Sequence, residues 1–285
     1  MTEISLVNHI SEKAFVTLPF YRDGKPLDSA RWGITLRKAG SMRFRWNETN
    51  PNREKLLSLL HEFASQTLQD MTVEIVPVQL DHTHIVYNIK SAEDTKNKIG
   101  DGIITTNRSL IPTVTVADCM PLYLYDPVTG VFGIVHSGWK GTGIIVDAIE
   151  LAKKNYGARV EDFCIIIGPH IRDCCYIVNE ERAMWFSKNF TPDCIRPLES
   201  CVSVDWNTGS GPLYRLSLEK ANLAALQKAG VLKENIWVHS NCTCCFKSDA
   251  EYKYGSNRRE TKENSAPDKF TVQAAFIFAN KTLKN

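Results

Sequence analysis

Residues 112–143 read PTVTVADCMPLYLYDPVTGVFGIVHSGWKGTG. Three short apolar runs lie within them, at 112–117, 122–125 and 131–135, each of a length suited to a buried strand. Asp126-Pro127-Val128-Thr129-Gly130 separates the last two, a strong turn signal that predicts a hairpin. The glycine-rich piece from Gly138 to Gly143 then opens a segment, 144–155, in which Ile144, Ile145, Ala148, Leu151 and Ala152 recur at helical spacing. Strands joined by hairpins, with single helices between groups of them, predict an α+β fold with a mixed sheet rather than a strict βαβ series.

The same reading extends outward. Residues 15–20, 34–36 and 41–46 are predicted as strands. In the last, Met42, Phe44 and Trp46 alternate with Arg43 and Arg45, the period of a half-buried strand. Residues 52–68 are predicted as a helix with Leu56, Leu59, Leu60 and Phe63 on one face. Strands are expected at 73–78 and 85–89 around the turn Leu80-Asp81-His82-Thr83, and at 163–167, ending at Gly168-Pro169. A helix at 216–229 stops at Gly230, and strands follow at 236–239 and 273–278. No repeat, heptad run or linker divides the chain, so residues 1–285 are predicted as a single domain.

Composition excludes several function classes. The 285 residues carry 34 Lys and Arg against 32 Asp and Glu, a net charge of +2, which argues against a nucleic-acid binder. No apolar run approaches the ~18 residues of a membrane span. Glu3 and Glu12 fall in a start without a basic-then-apolar pattern. With an odd count of nine cysteines, this predicts a cytoplasmic protein with reduced thiols and no disulfide framework. Cys164, inside an apolar run, is expected to pack, while Cys194 and Cys201 flank a proline-containing loop and carry little information. Cys174-Cys175 could bind metal, form a strained disulfide or pack. Cys242 and Cys245 make one CxxC, and a zinc ribbon would need a second, which is absent.

Chemistry concentrates at strand ends. Ala117-Asp118-Cys119 closes one predicted strand and His136 another, with a strand and a hairpin turn between them, so both side chains can meet at one sheet edge. His82 lies in an earlier turn. Two imidazoles and one thiolate make a three-ligand zinc set that leaves a fourth position for water or substrate; the alternative for each residue alone is packing or capping. His136-Ser137-Gly138-Trp139-Lys140-Gly141 follows a strand and opens a helix, so backbone N–H groups and Lys140 could receive an anion. It has neither the GxxxxGK[ST] nor the GxGxxG spacing. The arginines Arg258-Arg259 could clamp phosphate or be solvated, and the acid-free basic stretch including Arg43 and Arg45 reads as one solvated strand face.

These pieces resemble the YfiH-type family, also called laccase-domain polyphenol oxidases and since described as purine nucleoside phosphorylases. The resemblance rests on Ala117-Asp118-Cys119-Met120-Pro121-Leu122 with Asp126, on His136-Ser137-Gly138-Trp139-Lys140-Gly141, and on Gly168-Pro169 with Cys174-Cys175-Tyr176. Cys242-Thr243, Arg258-Arg259 and Gln273-Ala274-Ala275-Phe276-Ile277 follow in the family's order. It covers residues 15–280 and is most specific from 101 to 181. The family's Gln-Val-His-Gly stands here as Gln79-Leu80-Asp81-His82-Thr83-His84, with spacing that favours His82 over His84. Its Ala-Gly-Trp-Arg-Gly has become Ser137-Gly138-Trp139-Lys140-Gly141, and Asn52-Arg53 matches its Asn-Arg pair.

The resemblance implies a layered α+β sandwich with mixed sheets, shared with the cytotoxic necrotizing factor catalytic domain. It implies His82, Cys119 and His136 as metal ligands, for zinc, with copper for an oxidase activity. It further implies phosphorolysis of adenosine or inosine, with methylthioadenosine as another substrate, together with adenosine deamination. Lys140, Arg53 or the pair Arg258 and Arg259 would hold phosphate, and Asp118 would shuttle a proton or partner His136. Two other readings remain: a copper-dependent polyphenol oxidase, and a metal-free hydrolase with Cys119 as nucleophile and His136 as base. The usual zinc-deaminase signature is absent. Met120 could tempt as an axial copper ligand, but beside Cys119 it is expected on the opposite sheet face. Purine nucleoside and phosphate are the expected partners, without nucleic acid or membrane.

Overall fold

The computed structural model describes residues 2–4, 14–67, 73–199, 211–263 and 269–280. In chain order the first elements are β1 (Thr2–Ile4), β2 (Phe15–Arg22), β3 (Lys25–Thr35), helix α1 (Pro51–Thr67), β4 (Glu74–Pro77) and β5 (Val86–Asn88). The middle holds β6 (Gly102–Thr105), β7 (Leu110–Val116), β8 (Met120–Tyr125), β9 (Phe132–Ser137), α2 (Ile144–Tyr156), β10 (Cys164–Ile167), β11 (Ile177–Asn179) and α3 (Glu180–Asn189). The rest comprises β12 (Ile195–Pro197), β13 (Leu213–Leu216), α4 (Leu218–Ala229), β14 (Ile236–His239), β15 (Lys247–Ser248), β16 (Glu251–Tyr252), α5 (Asn257–Glu263) and β17 (Gln273–Ala279).

Among the described residues two large mixed sheets form, ordered β1-β14-β10-β8-β9-β6-β5 and β2-β3-β17-β7-β4. They pack face to face. The alternation of side chains along a strand decides which residue faces which layer. Tyr123 and Tyr125 of β8, with Phe132 and Ile134 of β9, meet Trp32, Ile34, Val114 and Ile277 of the other sheet. Their neighbours Leu122, Leu124 and Val135 point the other way, into a core built with Ile145 and Ile149 of α2, Phe186 of α3 and Leu226 of α4. On the outer face of the smaller sheet, Leu56 and Leu60 of α1 cover Ile111, Phe276 and Phe278. The layers run helix, sheet, sheet, helices. This is the α+β fold with mixed sheets that the residue pattern predicts, in the layered sandwich that the family resemblance implies.

Cys164 is fully buried between the sheets, as expected for packing, and burial pushes its thiol up to about 12. Cys201 and the end of the predicted helix at residue 68 lie outside the described residues. Several elements differ. Residues 41–46 form no strand. The carbonyls of Ser41 and Arg43 accept bonds from the Asn50 side-chain amide, at 2.9 and 3.2 Å, instead of from a neighbouring strand. Met42 is buried, as the alternation requires, but its burial is against α1 and the smaller sheet. The predicted helix at 216–229 begins two residues late, because Leu216 ends β13 and Ser217 Oγ caps α4, accepting from the Lys220 N–H at 3.2 Å. Helix α3 was not legible in the sequence.

The fold gathers the expected ligands at one end of the larger sheet. In the β8–β9 hairpin Pro121 pairs with His136, so Cys119, one residue before β8, sits across from Gly138. Strand β6 runs beside β9 with Gly102 opposite Val135, which brings Asp101 to the same end.

Candidate functional site

His82, Cys119 and His136 each offer one ligand atom, and these atoms all lie within 4.8 Å of one another. Cys119 Sγ is 3.7 Å from His82 Nε2. Zinc–sulfur and zinc–nitrogen bonds of about 2.3 and 2.0 Å at a tetrahedral angle would put the two atoms about 3.5 Å apart. The residues therefore fit a three-ligand metal centre with little adjustment. The remaining candidate, His84, turns away, with Nδ1 2.7 Å from Asp147 and Nε2 3.2 Å from the Lys140 carbonyl.

Asp101 organises both histidines, and nothing in the sequence marked it. Its buried carboxylate accepts from His136 Nδ1 at 2.7 Å, the carboxylate–imidazole pairing that fixes a ligating histidine's tautomer. The same carboxylate accepts from the backbone N–H groups of His82 at 3.0 Å and Thr83 at 2.6 Å, and from Thr83 Oγ at 2.7 Å. These bonds hold the turn in which His82 adopts a left-handed backbone, φ 56°. Gly138 completes the cradle by what it lacks. A Cβ there would stand 2.7 Å from His82 Cδ2 and 3.1 Å from Cys119 Sγ.

Charge in the cluster is strongly coupled. Burial alone would raise the Cys119 thiol, but the charge and hydrogen bonds of His136 and His82 outweigh it and bring it down to about 6. Burial alone would lower His136, but Cys119 and Asp101 lift it to about 9. At neutral pH this favours a thiolate, the form that binds metal or attacks an electrophile.

Asp118 lines the cleft beside Cys119, but one of its two expected roles is filled by another residue. It does not meet His136, whose Nδ1 is taken by Asp101. Its carboxylate instead accepts from Thr243 Oγ1 at 2.7 Å, Ser256 Oγ at 2.9 Å and the Arg258 backbone N–H at 2.6 Å. Burial still holds the carboxyl above its usual range. Asp118, itself at φ 79°, thus ties the Cys119 turn to two later segments of the chain.

His82, Cys119 and His136 open into a cleft of about 490 Å³ whose lining includes Arg43, Phe44, Arg45, Trp139, Tyr176, Arg182 and Arg258. Of the four cations expected to hold phosphate, Arg258 alone lines it. Arg259 is buried, donating to the carbonyls of Thr243, Cys244 and Tyr254 and pairing with Glu260 at 2.9 Å, so its guanidinium is spent inside the fold. Arg53 lies behind the wall, 4.5 Å over the Phe44 ring, and Lys140 lies 5.5 Å over the Trp139 ring, outside the lining. Arg43 and Arg45, read as a solvated face, line the cleft together with Arg182, which stands 4.4 Å over Trp139. Arg182 rides on α3, so no local sequence signal could have found it.

Comparison with known proteins agrees with this architecture. The chain is 32% identical over 151 residues to mouse purine nucleoside phosphorylase LACC1, a match covering 51% of this chain but only 32% of that protein. It is 30% identical over 174 residues to the purine nucleoside phosphorylase of Borreliella burgdorferi, covering 60% of this chain and 70% of the relative. The crystal structure of YlmD from Geobacillus stearothermophilus superposes with a TM-score of 0.70 at 23% identity, covering 95% of this chain and 98% of that one, a likeness of fold. Residues 33–265 match the family model described as multi-copper polyphenol oxidoreductase laccase, and the chain belongs to that family.

Proposed function

We propose that this chain is a zinc-dependent purine nucleoside phosphorylase, acting on adenosine or inosine and producing a free base and ribose 1-phosphate. The observation that carries the reading is the composition of one cleft: a His–Cys–His ligand set at its floor, arginines on its rim and aromatic faces on its walls. Aromatic rings stack purines, and guanidinium forks match phosphate oxygens. The names of the relatives support the same choice.

When bound, zinc would supply a Lewis acid that orients phosphate or lowers the pKa of a water, the latter being what deamination at the purine 6-position also requires. His82, Cys119 and His136 would hold it. Asp101 keeps the proton on His136 Nδ1, so that Nε2 stays free to ligate. Arg258, Arg182, Arg43 and Arg45 would neutralise a phosphate approaching C1′ of the ribose. As the new C–O bond forms, the N-glycosidic bond breaks, its electrons pass to the purine, and the base takes up a proton. Methylthioadenosine fits the same chemistry because its 5′ group takes no part. A cytoplasmic setting, where thiols stay reduced, suits such a site.

The donor set favours zinc over copper. Blue-copper sites add a weak axial ligand such as Met to two His and one Cys. Met120 is instead buried in the core among the α2 side chains and does not line the cleft. A second reading has specific support: Asp101, His136 and Cys119 are aligned as orienter, base and thiolate, the order of a metal-free Cys hydrolase.

Assaying the purified protein for ribose 1-phosphate from adenosine and inosine, with and without phosphate, separates these readings. Phosphorolysis should depend on zinc and be lost in Cys119→Ala and His136→Ala. Stoichiometric copper with phenol oxidation and no nucleoside turnover would overturn the proposal. A metal-free active protein with a rapidly alkylated Cys119 would transfer it to the hydrolase reading.

A further inference from the structure

Four other cysteines converge in two adjacent loops. The loop between β10 and β11 and the loop between β14 and β15 run side by side, bridged at His170 and Cys242 and by the Thr243 N–H donating to the His170 carbonyl at 3.0 Å. Each makes a tight turn: the Cys175 N–H donates to the Arg172 carbonyl at 2.9 Å, and the Phe246 N–H to the Cys242 carbonyl at 3.0 Å. From these turns Cys174, Cys175, Cys242 and Cys245 project sulfur atoms that all lie within 4.8 Å of one another. The second CxxC that the sequence lacks is replaced in space by a vicinal pair about seventy residues away from Cys242.

Packing does not account for this cluster, because Cys174 and Cys245 are exposed. Their sulfurs are 3.7 Å apart. That is the spacing of two thiolates on one tetrahedral zinc, where bonds of about 2.3 Å give about 3.8 Å between sulfurs, whereas a disulfide needs about 2.05 Å. The Arg172 backbone N–H points at Cys242 Sγ from 3.4 Å, the outer-shell bond that ligating sulfurs receive. Positive charge is at hand for an anionic tetrathiolate, since Arg215 donates to the Cys174 carbonyl at 2.8 Å, whereas the Arg172 guanidinium is paired with Glu219 at 3.0 Å.

We infer that Cys174, Cys175, Cys242 and Cys245 form a closed four-thiolate zinc site, separate from the His82–Cys119–His136 centre and structural in role. Four protein ligands leave no open position for substrate. The site ties together loops that otherwise meet through a few backbone bonds, and both loops bear on the cleft. Ile171 and Tyr176 line it, the Ile171 N–H donates to the Asp118 carbonyl at 2.9 Å, and Thr243 holds the Asp118 carboxylate. Removing the second zinc would therefore loosen the wall beside Cys119 without touching a ligand of the first.

Metal analysis of reduced protein, with a first-site variant, tests this independently of the proposed activity. Cys119→Ser disables the first centre, and that protein should still hold about one zinc per chain. Adding Cys174→Ser and Cys245→Ser should abolish it, while Cys245→His, which keeps a ligand, should retain it. Cobalt substituted into Cys119→Ser protein should show strong thiolate-to-metal absorption of a four-sulfur site, a readout that survives if the Cys174→Ser and Cys245→Ser changes prevent folding. Zinc absent from Cys119→Ser protein, iron in its place, or a Cys174–Cys245 disulfide in freshly prepared reduced protein would each overturn the inference. Failure of nucleoside turnover would leave it standing.

Discussion

The Asp101 carboxylate serves two candidate ligands at once, orienting His136 directly and His82 through the backbone of its turn. Asp101→Asn keeps the size but offers an amide that can donate where an acceptor is required, so His136 loses its tautomer control. Zinc affinity should fall about 10- to 100-fold, read by competition with a chromogenic chelator, while the near-ultraviolet circular dichroism stays unchanged. Cys119 gives a second test at this scale. In metal-free protein its alkylation rate should rise with pH through a midpoint near the thiol's value of about 6. Burial raises that thiol and the histidines lower it, so His136→Ala should move the midpoint upward and slow alkylation at neutral pH. A midpoint that stays put would show that His136 does not face the sulfur. Cys119, His82 and His136 were legible because their residue types are uncommon and chemically specific. Asp101 was not, because an aspartate between two glycines looks like any loop residue until the tertiary structure sets it beside a histidine 35 residues away.

Among the elements, the short 41–46 segment brings Arg43, Phe44 and Arg45 to the cleft lining. Its alternation is real, since Met42 is buried, but a hydrophobic period specifies a face and not a hydrogen-bonding partner. Asn50 supplies the missing partner. Its amide holds the carbonyls of Ser41 and Arg43, and its Oδ1 accepts from the backbone N–H groups of Asn52 and Arg53 at 3.1 and 3.4 Å, capping α1. Asn50→Ala should cost about 1 kcal/mol by loss of the cap, measured by urea denaturation. It should also free Arg43 and Arg45, so the KM for phosphate should rise more than kcat falls. An unchanged KM would remove these two arginines from phosphate binding. The β8–β9 hairpin shows the opposite case. Its strong turn and two apolar strands are local properties, and both strands form around the predicted turn.

At the scale of the whole molecule, the two sheets and their helical covers place three distant parts of the chain around one cleft: the 81–83 turn, the hairpin ends, and the 256–259 segment pinned by Asp118. Arg259 belongs to this framework. Arg259→Ala would leave three carbonyls without their buried donor, while Glu260 keeps Arg37 and the Thr271 N–H, so the loss should be about 3 kcal/mol in a denaturant titration. The KM for phosphate of the folded fraction should not change, whereas Arg258→Ala should raise it. The reverse pattern would return Arg259 to the binding machinery.

Apolar periodicity and Cys/His chemistry are written in local order, so the α+β class, most of the core strands and the three metal-ligand candidates could be read from the residues, with the layered sandwich following from the family resemblance. Packing of the folded chain settles which cations reach the cleft, which carboxylate orients the candidate ligands, and that Cys174-Cys175 meets Cys242 and Cys245. Those choices depend on which strand lies beside which and where each loop ends. Such placement is fixed by packing between residues far apart in the chain, where no local spacing records it.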